Sequence, residues 1–224
     1  MSKPKKKLHL GAYAGLDLSL AGTGGVLLDA KGEVVSVLAF STTQKEVDAA
    51  RKPCVIHPSP RVLRGDTRAM WNRTVWVASK IQEWMETHAE PACLVGIEDH
   101  AYGAIGTSIY QLGHLHGMVR RDLQDCGKNW LLVAPSELKS AVAGTGRADK
   151  KVMMSVPTPK LDQSSFGLST RHNVVDAYWL ARLAMAYAEC KVDTGTMNAL
   201  PQTIVNVLKP HAKRQGLLAR ELLP

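Results

Sequence analysis

Three short stretches of this chain each end in one acid at a place where an acid is costly. They are Gly15-Leu16-Asp17, Val95-Gly96-Ile97-Glu98 and Val174-Val175-Asp176. The first two close apolar, strand-like runs, and the third lies at the start of a very apolar helical segment. A carboxylate held against a core loses hydration and destabilises the fold unless something compensates. Three such acids gathered in one place are most simply compensated by hard divalent cations, which take oxygen ligands. Each acid alone has a plain structural reading. Asp17 suits a strand-to-turn position. Ile97-Glu98-Asp99 leaves open which acid points inward. Asp176 in a first helical turn would be favoured by the helix dipole.

Periodicity supplies the frame for these acids. Residues 11–18, 26–29 and 34–40 read as three strands joined by the turns Ala21–Gly25 and Lys31-Gly32, which implies an antiparallel meander. Residues 41–64 show no clean period and read as loop. From Thr67 to His88, Trp71, Thr74, Ala78, Ile81 and Met85 recur at helical spacing, and Trp71, Trp76 and Trp84 read as core. Residues 92–98 form a further strand, 107–126 a helix with Leu112, Leu115, Val119 and Leu123 on one face, and 130–133 a fifth strand. Helices are expected from Pro135 to Val142, from Ala148 to Val156 and over 173–189, with loop across 157–171. This order predicts an α/β fold with a mixed five-stranded sheet, three antiparallel strands followed by parallel ones, and helices on both faces. A basic arm (1–9), one domain (10–190) and a C-terminal extension (191–224) of unassigned role complete the organisation.

The net charge of +8, from 28 Lys and Arg against 20 Asp and Glu, points to a polyanionic partner, nucleic acid before an anionic membrane surface. No run approaches the length of a membrane span, and no signal-peptide pattern opens the chain. The four cysteines, Cys54, Cys93, Cys126 and Cys190, form no Cys-x-x-Cys pair, which fits reduced thiols in a cytoplasmic protein better than disulfides or a zinc knot.

If the ends of the first and fourth strands are neighbours and a helix delivers Asp176 to them, the three acids form one cluster. Without metal such a cluster repels itself and raises its own pKa values. With two divalent ions roughly 4 Å apart it suits in-line phosphoryl displacement. His172 and Asn173 precede Asp176 by about one turn. Either could be a further ligand or orient water, while Asn173 could equally be a helix N-cap. Gly144-Thr145-Gly146-Arg147-Ala148-Asp149-Lys150-Lys151 is a glycine-rich basic loop entering a helix, an expected anion site. It is not a Walker loop, so no nucleotide cofactor is expected. Tyr102, four residues after Glu98, could stack on an unpaired base or pack half-buried.

Taken together, Gly15-Leu16-Asp17, Ile97-Glu98, Lys139, the Gly144–Lys150 element and Asp176-Ala177 resemble the RuvC-type Holliday junction resolvases over roughly residues 11–188. The run Leu112-Gly113-His114-Leu115-His116-Gly117-Met118-Val119-Arg120 looks most like bacteriophage members. The resemblance implies an RNase H-like fold, a homodimer, and nicking of four-way DNA junctions in a bacterial cytoplasm with Mg²⁺, for which Mn²⁺ substitutes. It implies that Asp17, Glu98 and Asp176 are metal ligands, and that Lys139 and Lys150 work at the scissile phosphate or DNA backbone, alongside Arg147 and Lys151. The family's fourth ligand, an Asp or His, falls here on Asn173, with His172 adjacent. Rival readings are a less selective nuclease on forks and branched DNA, and a catalytically weak junction-binding protein.

Overall fold

The computed structural model describes residues 11–50, 52–60, 62, 65–89, 93–99 and 107–192. The expected basic arm, almost all of the C-terminal extension and Tyr102 lie outside the described residues. Six strands form one mixed sheet: β1 (Ala12–Asp17), β2 (Gly24–Asp29), β3 (Val34–Ser41), β4 (Cys54–Pro58), β5 (Cys93–Glu98) and β6 (Asn129–Val133). Their spatial order is β4-β3-β2-β1-β5-β6. The β1–β2–β3 meander is antiparallel, and β5 pairs parallel to both β1 and β6.

The sheet has one more strand than the sequence predicts, because the segment expected to be loop between 41 and 64 is partly ordered. It folds into α1 (Gln44–Ala49) and β4, which pairs parallel to β3 at one sheet edge. Six residues of polar helix and a five-residue edge strand ending in Pro58 are too short to show a period, and proline is tolerated at a sheet edge.

The helices are segregated by side-chain parity. On one face, Ala12, Ala14 and Leu16 of β1 and Cys93, Val95 and Ile97 of β5 pack on α2 (Thr67–His88) and α3 (Thr107–Asp125). On the other, Tyr13, Leu94, Leu131 and Val133 pack on α4 (Pro135–Ala143), α5 (Lys150–Ser155) and α6 (Leu168–Val192). Trp84 is core, its indole N–H donating to Ser36 Oγ at 2.9 Å. Trp71, expected in the core, is 48% exposed. It lies at the outer margin of the α2 stripe and meets His114 of α3 edge-on. Among the described residues no helix is long and apolar enough to cross a membrane.

α6 lies almost on the sheet backbone. A Cβ added at Gly15 would overlap the Ala177 carbonyl oxygen and crowd the Ala181 amide, one at Gly24 would overlap the Asn173 carbonyl, and one at Gly96 would sit 2.5 Å from the Leu180 carbonyl. Three glycines on three adjacent strands thus form the seat of one helix. Val174, Val175, Ala177, Tyr178, Leu180 and Ala181 are fully buried against it. Overpacking a close-packed core costs about 1–3 kcal/mol, and more where the obstacle is rigid backbone. Gly15→Ala or Gly96→Ala should therefore lower urea-unfolding stability by about 3 kcal/mol. Gly113→Ala, at a helical glycine where among the described residues no atom outside its own helix lies within 4 Å of the new methyl, should instead stabilise by up to about 1 kcal/mol. Equal effects at all three positions would refute the seating of α6 on these glycines.

Candidate metal and phosphate site

Side chains two apart on a strand share a face, so the glycine seats also aim the acids. Gly15 faces α6, and so does Asp17. Gly96 faces α6, and so does Glu98, which settles the choice between Glu98 and Asp99. β1 and β5 run parallel with Leu16 opposite Ile97, so the two acids stand side by side at adjacent strand ends. α6 crosses directly over them and contributes Asp176. Asp17, Glu98, Lys139, Lys150, His172, Asn173 and Asp176 line one cleft of about 260 Å³, floored by Leu138, Met153 and Met154. That space holds several waters or a phosphate group.

α6 begins five residues earlier than the sequence predicts, at Leu168, with a short 3-10 turn at Gln163–Ser165 inside the segment expected to be loop. Two expectations fall with this. Asp176 sits in the third turn of α6, too far in for the N-terminal dipole to explain it, and Asn173 is inside the helix and is not its N-cap. The Asn173 amide nitrogen instead donates to the Gly22 carbonyl, tying α6 to the β1–β2 turn. That turn is closed by Ser19 and Thr23: Gly22 N–H donates to Ser19 Oγ and Ser19 N–H to Thr23 Oγ1, each at 2.9 Å. His172 and Asn173 stand one turn before Asp176 and share its face, as expected.

The electrostatics are those of crowded acids. Burial, then repulsion from Glu98 and Asp176, raises the Asp17 carboxyl well above its ordinary value, and Asp17 shares a hydrogen bond with Glu98. Burial also raises Glu98, opposed by that hydrogen bond and by the Lys139 and Lys150 ammonium groups. Asp176 is pushed up to about 7 by burial and by Glu98, again against Lys150 and Lys139. The His172 imidazole is pushed down by burial and by the positive charge of Lys150 and Arg171, so it is neutral at neutral pH. Among the described residues no three His, Cys, Asp or Glu side chains close into a cage for one ion. The donor set nevertheless fits a hard cation: three anionic oxygen groups in mutual repulsion, one pair needing a proton to stay in contact, and a neutral imidazole beside them.

The basic groups divide. Lys139 on α4 and Lys150 at the start of α5 line the cleft. Arg147 and Lys151 are exposed and outside its lining. The anion site expected at the α5 start is occupied by the chain itself: Asp149 Oδ1 accepts from the Val152 N–H at 2.9 Å. α4 is closed at its start by Glu137, whose Oε2 accepts from the Ala134 N–H at 2.9 Å, and at its end by Gly144 at φ +78°. These ends fix where Lys139 and Lys150 emerge. The signal missed in the sequence was the glycine two residues before each strand acid.

No family model matches the chain. Over 57 residues, 25% of the chain, it is 39% identical to the crossover junction endodeoxyribonuclease RuvC of Koribacter versatilis (strain Ellin345). That match spans about a third (34%) of the relative's length. Its fold is similar to that of Thermus thermophilus RuvC in complex with Holliday junction substrate, with TM-score 0.52 and 18% identity over 79% of this chain and 92% of that one. The chain is similar to RuvC in sequence over that stretch and in fold over most of its length. A second Thermus thermophilus RuvC structure aligns at TM-score 0.49 and 15% identity, covering 78% of this chain and 97% of that chain. The RuvC fold accounts for the meander, the parallel β1–β5–β6 half and the helices on both faces; the fold by itself assigns no chemistry.

Raised carboxyl pKa values carry a sign. The folded chain holds protons on these acids that the unfolded chain has released, so the metal-free fold loses stability as pH rises from about 4 through about 7. Asp176→Asn removes much of that loss. Its melting temperature without metal should exceed wild type at pH 8, and the gain should vanish near pH 4. Divalent-ion affinity should rise with pH across about 7, because ligands must be deprotonated to bind. Calorimetric titration with Mn²⁺ at pH 6 and 8 checks this, and equal affinity at both would contradict it.

Proposed function

We propose that this chain is a divalent-metal-dependent endonuclease that resolves four-way DNA junctions by paired nicks. The observation that carries the proposal is the convergence of Asp17, Glu98 and Asp176 with Lys139 and Lys150 in one cleft, in a chain similar to RuvC. Asp17, Glu98 and Asp176 would hold the ions, with His172 or the Asn173 carbonyl oxygen as a further ligand. About two Mg²⁺ or Mn²⁺ ions would supply Lewis-acid activation of water and charge neutralisation at the phosphate.

The chain's own residues do the rest. Lys139 and Lys150 neutralise the phosphate and partly offset the acids before it arrives. Asn173 holds the β1–β2 turn against α6. Burial of Asp17 beneath α6 excludes water from one side of the acid cluster. Arg147 and Lys151 bind the duplex backbone beyond the cleft, and Tyr102 stacks on an unpaired base at the branch.

Paired nicks need two sites, and we propose a homodimer through the α2–α3 face. Trp71, Val75 and Tyr110 are 48%, 42% and 72% exposed there, three of the five large hydrophobics exposed among the described residues. Gly117 lies open on α3, and among the described residues no atom outside its own helix lies within 4 Å of an added methyl there to account for a helix-weakening glycine. A two-fold dimer would offer matched sites to opposed strands.

On a labelled mobile junction with Mg²⁺, Asp17→Asn, Glu98→Gln and Asp176→Asn should each cut about 10²–10³-fold more slowly than wild type, with junction binding retained. Lys139→Ala and Lys150→Ala should each reduce the slope of log affinity against log salt by about 1. Equal cleavage of a fork and a junction would favour the less selective nuclease, and unchanged cleavage by the acid variants would remove the mechanism.

A further inference from the structure

The α1–β4 segment is more than sheet-edge cover. Glu46 of α1 reaches across to the start of α6. Its Oε2 accepts from the Ser41 hydroxyl at the end of β3 and from the Thr170 hydroxyl in the first turn of α6, each at 2.5 Å. Ser41 and Thr170 are 2% and 1% exposed and Glu46 is half-buried. The Ser41 hydroxyl oxygen also accepts from the Thr43 N–H at 3.0 Å, which fixes the entry into α1. Gly167 leaves the room: a Cβ there would overlap the Glu46 carboxylate. Val47 and Ala50, on the same short helix and its C-terminal cap, pack on the α6-side core.

Among the described residues, the other hydrogen bonds of the first turn of α6 go to its neighbours in sequence. The Gly167 carbonyl accepts from the Thr170 and Arg171 N–H groups, and the Arg171 guanidinium donates to the Phe166 carbonyl. Through Glu46, 124 residues away in sequence, Thr170 of this turn is joined to Ser41 of the sheet. A carboxylate there also complements the positive end of the long α6. His172 and Asn173 follow Thr170 by two and three residues, and Asp176 lies two turns along the same rod.

We propose that Glu46 is a positioning residue for the cleft: by clamping Thr170 to Ser41 it fixes the axial placement of α6, and through it the reach of His172, Asn173 and Asp176 toward Asp17 and Glu98. The Gly15–Gly24–Gly96 seat fixes the height of α6 over the sheet, and the Glu46 clamp fixes the N-terminal end. This rests on the metal-site reading above, while the clamp itself is testable without it.

The test compares wild type, Glu46→Ala and Glu46→Gln by hydrogen–deuterium exchange mass spectrometry and by Mn²⁺ titration. Glu46→Gln keeps an acceptor oxygen for Thr170, and Glu46→Ala keeps none. Glu46→Ala should speed exchange at residues 168–176 while β1 and β5 stay protected, and weaken Mn²⁺ binding about tenfold, the cost typical of losing a group that orients a ligand. Glu46→Gln should restore most of both. Exchange at 168–176 equal to wild type in Glu46→Ala overturns the clamp. So does acceleration spread evenly over the sheet, which marks a merely structural loss. Wild type that binds no Mn²⁺ would sink the metal reading instead, and the exchange result would still decide the clamp.

Discussion

The contact between the α6 backbone and three glycines of the sheet brings the three acids of the cleft together. Helices usually ride on side chains, which hold their axes well away from a sheet. Here Gly15, Gly24 and Gly96 remove those side chains along a line across β2, β1 and β5, and the peptide groups of Asn173, Ala177 and Leu180 settle into the space. A carboxylate has a short stem. Asp176 meets acids on β1 and β5 only because the helix is this low. The seat and the site are one device, since each strand acid stands two residues beyond the glycine that admits the helix.

That device carries a built-in electrostatic cost. Bringing Asp176 over Asp17 and Glu98 desolvates all three and sets like charges against each other, which raises the Asp17 and Glu98 carboxyls and pushes Asp176 up to about 7. Lys139 and Lys150 relieve part of this from the rim. They arrive on α4 and α5, whose ends are fixed by Glu137, Gly144 and Asp149. The chain thus leaves a deficit of positive charge at a point surrounded by oxygen donors. Proteins tolerate local instability of this kind where function needs it, and the extensive apolar burial along α6 supplies the stability that offsets it.

Much of this was legible in the sequence. The meander could be read from Lys31-Gly32 and the alternating runs around it, and α2 and α3 from helical periodicity. The three acids stood out because each closed or interrupted an apolar run. What stayed hidden had physical reasons. α1 and β4 are too short to show a period. The first turn of α6 is polar and follows a Ser-rich stretch, so its start looked like loop, and of the two readings open for Asn173 the cap falls, its amide being tied to Gly22. Trp71 matched the core period but fell at the edge of its stripe, where one helical position decides between core and surface. At the start of α5 the Val152 amide is taken by Asp149, read as part of a basic loop, so Lys150 meets the cleft through its side chain.

Whether Asp17, Glu98 and Asp176 share divalent ions is tested most directly by a crystal structure grown or soaked in Mn²⁺, with anomalous scattering recorded at the manganese edge. Strong anomalous peaks are expected in the cleft, with oxygens of all three carboxylates within about 2.0–2.3 Å of an ion, and with the Asp17–Glu98 hydrogen bond broken. A cleft free of anomalous signal at millimolar Mn²⁺, or ions bound elsewhere while that hydrogen bond persists, would contradict the shared metal site.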